Sequence, residues 1–188
     1  MRTALVTIEG TSPLIQSKRH FVEKPPGVTD EEHDLNTVRE KVHYNKDGMC
    51  VLSQQALTKC IQESSAHLAL KVKGNQPYKR HFRAGIAIDH SPSIGVHRDD
   101  VEVVRILCNP QGNDKGGKQI VRNFPQISKW SATFKIHVLD DVIGNTILEK
   151  HLDAAGKFIG MGSFRPQNGG CNGRFKVTKI TWENNSSM

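Results

Sequence analysis

The sequence has few cysteines, and none of them is closely paired with another. The four cysteines (Cys50, Cys60, Cys108, Cys171) show no CxxC spacing, which argues against a zinc ribbon and against a disulfide scaffold. We interpret them as reduced thiols of a cytoplasmic protein. The sequence also lacks a run of about 18 apolar residues that could cross a membrane. The apolar run near the N-terminus is too short for a signal peptide and is followed by an acid, Glu9. We therefore expect no membrane partner.

Several enzyme motifs are also absent. The chain has no HExxH zinc motif, no Walker lysine, no nucleophile elbow and no dinucleotide fingerprint. We therefore predict that the protein has no cofactor and no metal and is not an enzyme. One acidic stretch, residues 30–34, leaves a divalent-cation or RNA-directed role open, although charge runs of this kind usually form a solvated face.

The charge balance favours a polyanionic partner. The 188 residues include 26 Lys and Arg against 19 Asp and Glu, which gives a formal net charge of +7, and the pI is about 9.3. Such an excess favours nucleic acid or an anionic membrane, although surface charge also serves solubility alone. Two groups of basic residues are candidates for nucleic-acid contact: Lys18, Arg19 and His20 after the first predicted strand, and Lys79, Arg80 and Arg83 further along.

Hydrophobic periodicity predicts a mixed α+β fold. Apolar residues alternate over five predicted strands, at 3–8, 82–88, 101–108, 130–139 and 174–182. Ser53 is the predicted N-cap of a helix over 54–70, and a second helical pattern covers 146–158. With one extra strand allowed, the order βαββαβ predicts a ferredoxin-like (RRM-like) fold, in which one antiparallel sheet carries two helices on one face. The other face of the sheet would then be free to bind.

Two long segments interrupt this pattern. Residues 11–47 have little periodicity, and we predict a projecting insertion with a short helix around 35–42. Residues 91–100 are predicted to form a turn region. Residues 109–128 are predicted to form a basic hairpin, with Lys115, Lys118 and Arg122 as candidates for RNA contact. Phe124 in this hairpin could stack on a base or anchor the loop to the core. All of these segments are assigned to one domain, 1–188.

A glycine-rich stretch, 160–175, joins the last predicted helix to the last predicted strand. It carries Arg165 and Arg174 between glycines. Glycine lets another backbone approach closely, and unpaired N–H groups and guanidinium groups can both face a phosphate. The alternative is a long loop whose glycines serve turns alone. The glycines taken as candidates for RNA contact are Gly162, Gly169, Gly170 and Gly173.

This glycine-rich stretch, together with the element order, resembles the RAMP superfamily, the RNA-binding subunits of CRISPR effector complexes and their RNA-processing relatives. The start of the first helix, Ser53-Gln54-Gln55-Ala56-Leu57-Thr58, is similar to that of the repeating backbone subunits, as is the first strand and turn, Glu9 to Leu14. The segments 11–47 and 109–128 fall where those subunits carry a finger-like insertion and a thumb-like hairpin.

The resemblance implies a non-catalytic protein that coats a guide-like single-stranded RNA through its phosphate backbone, as repeated copies in a CRISPR-type ribonucleoprotein. It also implies contact with other subunits and with a target nucleic acid, and it adds Ser53 and Gln54 to the candidate RNA-binding residues. Two alternatives stay open. One is a metal-independent endoribonuclease of the same fold, with His20 as general base on a 2′-OH. The other is an interaction protein that mimics or caps a CRISPR complex, of the anti-CRISPR type.

Overall fold

The computed structural model describes residues 1–72, 74–109 and 119–183, which form nine strands and four α-helices. None of the helices in these ranges is long and apolar enough to cross a membrane. A π-helical turn (Ala155–Ile159) and 3₁₀ turns (Val38–Lys41, Arg98–Asp100, Pro166–Asn168) accompany them. The elements are β1 (Arg2–Gly10), β2 (Leu14–Ile15), α1 (Asp30–Asn36), β3 (Met49–Val51), α2 (Gln54–Leu68), α3 (Lys79–Ala84), β4 (Ile86–Ile88), β5 (Ser93–His97), β6 (Glu102–Cys108), β7 (Ile120–Ile127), β8 (Ser131–Val138), α4 (Asn145–Ala154) and β9 (Phe175–Glu183).

The main sheet has the strand order β4-β8-β1-β9, and every neighbouring pair is antiparallel. Along the chain these strands and the two longer helices follow the order β1-α2-β4-β8-α4-β9. That is the βαββαβ order of a ferredoxin-like fold, so the predicted α+β class is confirmed. The predicted strands over 3–8, 130–139 and 174–182 correspond to β1, β8 and β9.

The core lies between this sheet and the helices α2 and α4. Every second residue of β1 and β8 points inward, as Val6 and Phe134 do, and these side chains are at most 1% exposed. Leu57 of α2 and Leu148 of α4 complete the same cluster. His151 is also fully buried there: its Nδ1 lies 2.6 Å from the Ile147 carbonyl, and burial lowers its pKa. The core therefore contains a histidine on α4 that burial keeps neutral.

The opposite face of the main sheet is mainly polar, and several of its charged residues form ion pairs. Lys135 lies 2.6 Å from Glu183, and Lys176 lies 3.0 Å from Glu9. The aromatic residues of its described strands (Phe134, Phe175, Trp182) belong to, or pack against, the core on the helix side. RRM-type sheets bind bases by stacking them on exposed aromatics. This face has the strand order of an RRM without that stacking surface.

The insertion at 11–47 folds back onto the molecule, which corrects the prediction that it projects. β2 pairs with β7, and β7 pairs with β6 in a second, three-stranded sheet. Lys41 is 6% exposed, and its Nζ lies 2.6 Å from Asp34 and 2.7 Å from the Asn123 carbonyl. The finger-like and thumb-like segments of one chain are therefore joined by hydrogen bonds between the Lys41–Asp34 ion pair of the first segment and Asn123 of the second.

The helix of this insertion begins at Asp30, five residues before the predicted range. Thr29 accepts a hydrogen bond from the Glu32 N–H, while Glu32 accepts one from the Thr29 N–H, which is a complete capping box. The acidic first turn also suits the positive end of the helix dipole. The predicted range 35–42 matches instead the end of α1 and the 3₁₀ turn Val38–Lys41.

Two further predictions were wrong in the middle of the chain. Residues 82–84 belong to the helix α3 rather than to a strand, because Phe82 and Tyr78 are one turn apart and both pack on the core. Only Ile86–Ile88 forms the strand β4. Residues 93–97, predicted as a turn, form β5, which pairs with β3. In both cases tertiary packing decided between short, ambiguous patterns.

Candidate nucleic-acid interface

The glycine-rich stretch is fixed to the first turn of the chain by backbone hydrogen bonds. Gly173 N–H donates to the Pro13 carbonyl at 2.7 Å, and Ser163 N–H donates to the Ile15 carbonyl at 2.7 Å. Within the loop, Met161 N–H donates to Gly173 at 2.9 Å. These bonds hold residues 161–174 against residues 11–15.

Close backbone approach accounts for three of the four candidate glycines. A Cβ on Gly162, Gly170 or Gly173 would overlap a carbonyl oxygen of Ile15, Phe164 or Met161 respectively. The N–H groups of Gly169, Gly170 and Gly173 donate to carbonyls of this chain. The N–H groups of Gly169, Gly170 and Gly173 are therefore not available to a phosphate. The contacts of the candidate glycines support the alternative that they serve the loop's own turns and packing.

A groove lies between this loop and the start of α2; we call it the α2 groove. It has a volume of about 230 Å³ and is lined by Leu14, Gln16, Ser17, His43, Leu52, Ser53, Ala56, Met161, Gly162 and Ser163. Ser53 is the N-cap residue, as predicted, but its side chain makes no capping hydrogen bond. The Gln54 N–H donates instead to Ser91 Oγ at 3.0 Å. Two predicted residues, Ser53 and Gly162, thus meet in one groove, whereas Gln54 does not line it and its side chain donates to the Ile88 carbonyl.

His43 is a residue of this groove that the sequence did not indicate. Its backbone N–H donates to Gln16 Oε1 at 2.7 Å, which holds the segment in place. Burial, and then the positive charge of Lys18, lower the pKa of His43. Lys18 itself lies beside the groove, with Nζ 5.1 Å from the centre of the Tyr44 ring. Because these residues are far apart in the chain, no local pattern could have linked them.

A second groove lies on the other side of the glycine-rich loop; we call it the π-turn groove. It has a volume of about 510 Å³, and Arg174 lines it. Arg165 is 18% exposed and lies 3.3 Å from Glu63 of α2, so it is committed to an ion pair. In the described part of the chain, the Arg174 guanidinium has no hydrogen-bond or ion-pair partner, and its Nε is buried without one. The remaining lining residues are Glu63, Ala66, His67, Lys157, Phe158, Ile159, Pro166 and Gln167.

The residues of the predicted thumb-like hairpin are dispersed. Phe124 is 7% exposed, packs edge-on against Phe164 at 5.2 Å and lies under Lys41, so it anchors the hairpin and cannot stack on a base. Arg122 is exposed beside the insertion. Lys115 and Lys118 fall outside the described residues.

The two basic groups seen in the sequence lie in different places. Lys79, Arg80 and Arg83 are exposed on α3, next to the strand at the edge of the main sheet. Arg19 is exposed, and His20 lines a pocket between the insertion and the second hairpin. The structure therefore does not bring all predicted cations into one surface.

The acidic stretch 30–34 has structural partners throughout. Asp30 pairs with Lys24, Glu31 with Arg105, Glu32 closes the capping box, and Asp34 holds Lys41 and Asn123. Among the described residues, no three His, Cys, Asp or Glu side chains are arranged to hold a metal ion. The acidic stretch therefore has a structural role: the contacts of Glu31 with Arg105 and of Asp34 with Asn123 attach α1 to the second sheet.

Comparisons with known proteins bear on the fold. No family model matches this chain, and no curated protein matches it. A chain of the cryo-EM structure of the Type III-B Cmr-beta bound to cognate target RNA is similar in fold, with a TM-score of 0.53 and 11% identity. The match covers 96% of this chain and 61% of that chain, so this chain spans less than two thirds of its length. At this identity the likeness shows the fold alone.

The packing of the loop predicts different costs for two glycines that share a left-handed backbone. Gly169 and Gly173 have φ of 78° and 71°, but only a Cβ on Gly173 would meet other atoms. Gly169→Ala should lower the free energy of unfolding by about 1–2 kcal/mol, the cost of a left-handed residue. Gly173→Ala should cost roughly 3 kcal/mol or more, since it also displaces hydrogen-bonded backbone. Urea unfolding measures both, and equal losses would contradict this packing.

Proposed function

We propose that this protein binds single-stranded RNA through the phosphate backbone along the α2 groove, without cleaving it, as a subunit of a CRISPR-type ribonucleoprotein. The observation that carries the proposal is the meeting of the α2 N-terminus, His43 and the loop residues Gly162 and Ser163 around one groove. The fold similarity to a chain of a Cmr-beta structure bound to target RNA supports the RNA and CRISPR context.

The electrostatics of the α2 groove suit an anion. The first turn of a helix leaves N–H groups without intrahelical partners, and the helix dipole adds positive potential there. Gln54 N–H is engaged by Ser91, whereas Ala56 of the same turn lines the groove. His43 adds an imidazole beside the groove, and a bound anion would act against the burial and the Lys18 charge that lower its pKa. Lys18 supplies a fixed positive charge beside it.

The open face of the main sheet is the competing location for RNA. Two of its lysines are paired, Lys135 with Glu183 and Lys176 with Glu9, whereas Lys179 is exposed on this face and has no ion-pair partner among the described residues. Thr181 is an exposed residue of this face, opposite Leu5 in the register. Bases stack on exposed aromatics when RNA binds to a sheet. Because the aromatics of the described strands face the core, the groove is the better site.

We expect a carboxylate placed in the α2 groove to block RNA binding, whereas the same charge on the open sheet face should not. Ser163→Glu puts a negative charge beside the expected phosphate, and Thr181→Glu is the matched control. Affinity for a fluorescein-labelled single-stranded RNA should fall at least about tenfold for Ser163→Glu, which corresponds to about 1.4 kcal/mol. For the wild type, log Kd should change with log salt by about 0.7 per neutralised phosphate. If Thr181→Glu lowers the affinity for RNA more than Ser163→Glu does, the RNA binds on the open sheet face instead.

The absence of cleavage is part of the proposal, and His20 is the residue that tests it. His20 lines a pocket with His33 and Asp34. His33 Nε2 lies 3.1 Å from the Val22 carbonyl, and Asp34 is held by Lys41. Because His33 and Asp34 already have these partners, His20 is the residue of the pocket that remains as the candidate general base.

We predict that the wild type leaves a hairpin RNA intact, with or without divalent metal, and that His20→Ala binds RNA as the wild type does. Denaturing gel electrophoresis and mass spectrometry of the RNA check this. A product with a 2′,3′-cyclic phosphate that disappears in His20→Ala would establish the endoribonuclease alternative instead.

Repeated copies along one RNA are the second part of the proposal. The arm at 19–28 exposes Phe21 (98%) and Val22 (46%), although most of the insertion packs on its own chain. An exposed aromatic beside an exposed valine on an extended arm suits contact with a neighbouring copy. A head-to-tail contact of this kind does not close on itself and extends along the RNA.

The mass of the protein–RNA complex should therefore increase with RNA length. Light scattering on single-stranded RNAs of increasing length should give more copies per RNA for the wild type, and Phe21→Glu should reduce that number while leaving the affinity for a short RNA unchanged. Complexes that keep one copy at every length would contradict the assembly and would favour a single-copy protein that mimics or caps a CRISPR complex.

A further inference from the structure

The π-turn groove exposes an aromatic pair that the core does not use. Phe158 is 47% exposed, and its ring is stacked on the His67 ring with centroids 4.6 Å apart and an interplanar angle of 26°. The apolar residues before and after it on this helix, Leu152 and Ile159, point into the core and are at most 2% exposed. Phe158 therefore presents a ring face at the surface instead of completing the core.

The backbone that carries the Phe158 ring is held in place by its own hydrogen bond and by packing on β9. Phe158 lies in the π-helical turn Ala155–Ile159, which ends where the Gly160 N–H donates to the Ala155 carbonyl at 2.8 Å. A Cβ on Gly156 would overlap the Phe175 carbonyl oxygen, so the turn is pressed against β9. π-Turns are rare and occur frequently at functional sites. Because the backbone that carries the ring is already ordered, a ligand that stacks on it does not have to order this segment.

The charges around the ring suit a nucleotide. Arg174 lines the groove, and in the described chain its guanidinium has no carboxylate or carbonyl partner. Lys157 also lines the groove, and among the described residues its one ion-pair partner is the exposed Asp153, at 2.8 Å. Glu63, the carboxylate of the groove, lies 3.3 Å from Arg165. An unpaired guanidinium beside an exposed ring is the combination that contacts a phosphate and its base.

We propose that the π-turn groove binds one unstacked base of a single-stranded RNA on the Phe158 ring, with Arg174 on the adjoining phosphate. This inference rests on the proposed function and adds a base-binding site to the phosphate contacts of the α2 groove. Ala56 of the α2 groove and Glu63 of the π-turn groove are seven residues apart on α2. They lie two turns apart on one face, about 10 Å along the axis. The glycine-rich loop packs on α2 between them, so one RNA strand that crosses this loop can reach both grooves.

The test separates stacking from phosphate contact by using two probes. One is a fluorescein-labelled oligoadenylate of about six nucleotides, and the other is an oligomer of the same length that lacks the bases. Phe158→Ala should weaken binding of oligoadenylate about 5- to 100-fold, the range for one stacked base, and should change binding of the abasic oligomer less than about twofold. Arg174→Gln should weaken binding of both, because both carry the phosphates.

A second readout reports the stacking directly. In Phe158→Trp the new indole should be quenched by oligoadenylate and not by the abasic oligomer. Phe21→Trp is the matched control, since it places an indole at another exposed phenylalanine, outside both grooves, and should not be quenched by so short an RNA. Circular dichroism and thermal unfolding confirm that each variant folds.

The outcomes separate this inference from the proposed function. If Ser163→Glu weakens RNA binding while Phe158→Ala binds oligoadenylate as the wild type does, the base site is wrong and the phosphate groove stands. If Phe158→Ala weakens both oligomers equally, Phe158 supports the groove without stacking, and the base site is again wrong. If the wild type binds neither oligomer at low salt, the proposed function fails, and the inference fails with it.

Discussion

The structure depends on one set of backbone hydrogen bonds, which joins the loop after the last helix to the turn after the first strand. Thr11 N–H donates to the Arg174 carbonyl, Gly173 N–H to Pro13, and Ser163 N–H to Ile15, at 2.7–2.8 Å. These bonds connect the two ends of the chain, which are also neighbours as β1 and β9 in the main sheet. They fix one wall of each groove, because the α2 groove uses Gly162 and the π-turn groove uses Arg174.

The sequence predicted the elements whose signal is long and periodic. β1, β8, α2 and α4 bury residues at regular spacing over eight or more residues. Together with the alternating strand β9, they carried most of the element order on which the ferredoxin-like prediction rested. The misassigned elements were short. α3 has six residues and β5 has five, which is too short for a clear periodic signal. Packing of Phe82 on the core determined α3, and pairing with β3 determined β5. Thr29 and Glu32 carried a capping-box signal that would have placed α1 correctly.

The candidate site was harder to predict because charge in the sequence does not show which charges are paired. Lys41 and Arg165 are as basic as Lys18 and Arg174, yet the structure pairs the first two with Asp34 and Glu63. Phe124 and Phe158 are both aromatic residues near basic ones, but Phe124 is 7% exposed and Phe158 is 47% exposed. Such differences arise from contacts between distant parts of the chain, which a local pattern does not contain. The glycines were a true signal of close approach, although the approaching group is the chain's own backbone.

The two faces of the main sheet explain why the proposed RNA-binding site lies on the helix side. In a ferredoxin-like domain the open sheet face is the largest exposed surface available to RNA, and it binds bases when aromatics are placed on it. Here the strands direct Phe134 and Phe175 inward, and salt bridges such as Lys135–Glu183 occupy the open face. The helix side instead presents the N-terminus of α2, the exposed Phe158, and Arg174, whose guanidinium has no partner within residues 1–72, 74–109 and 119–183. Since α2 runs past both grooves, the helix that forms the core is also the element that sets their spacing.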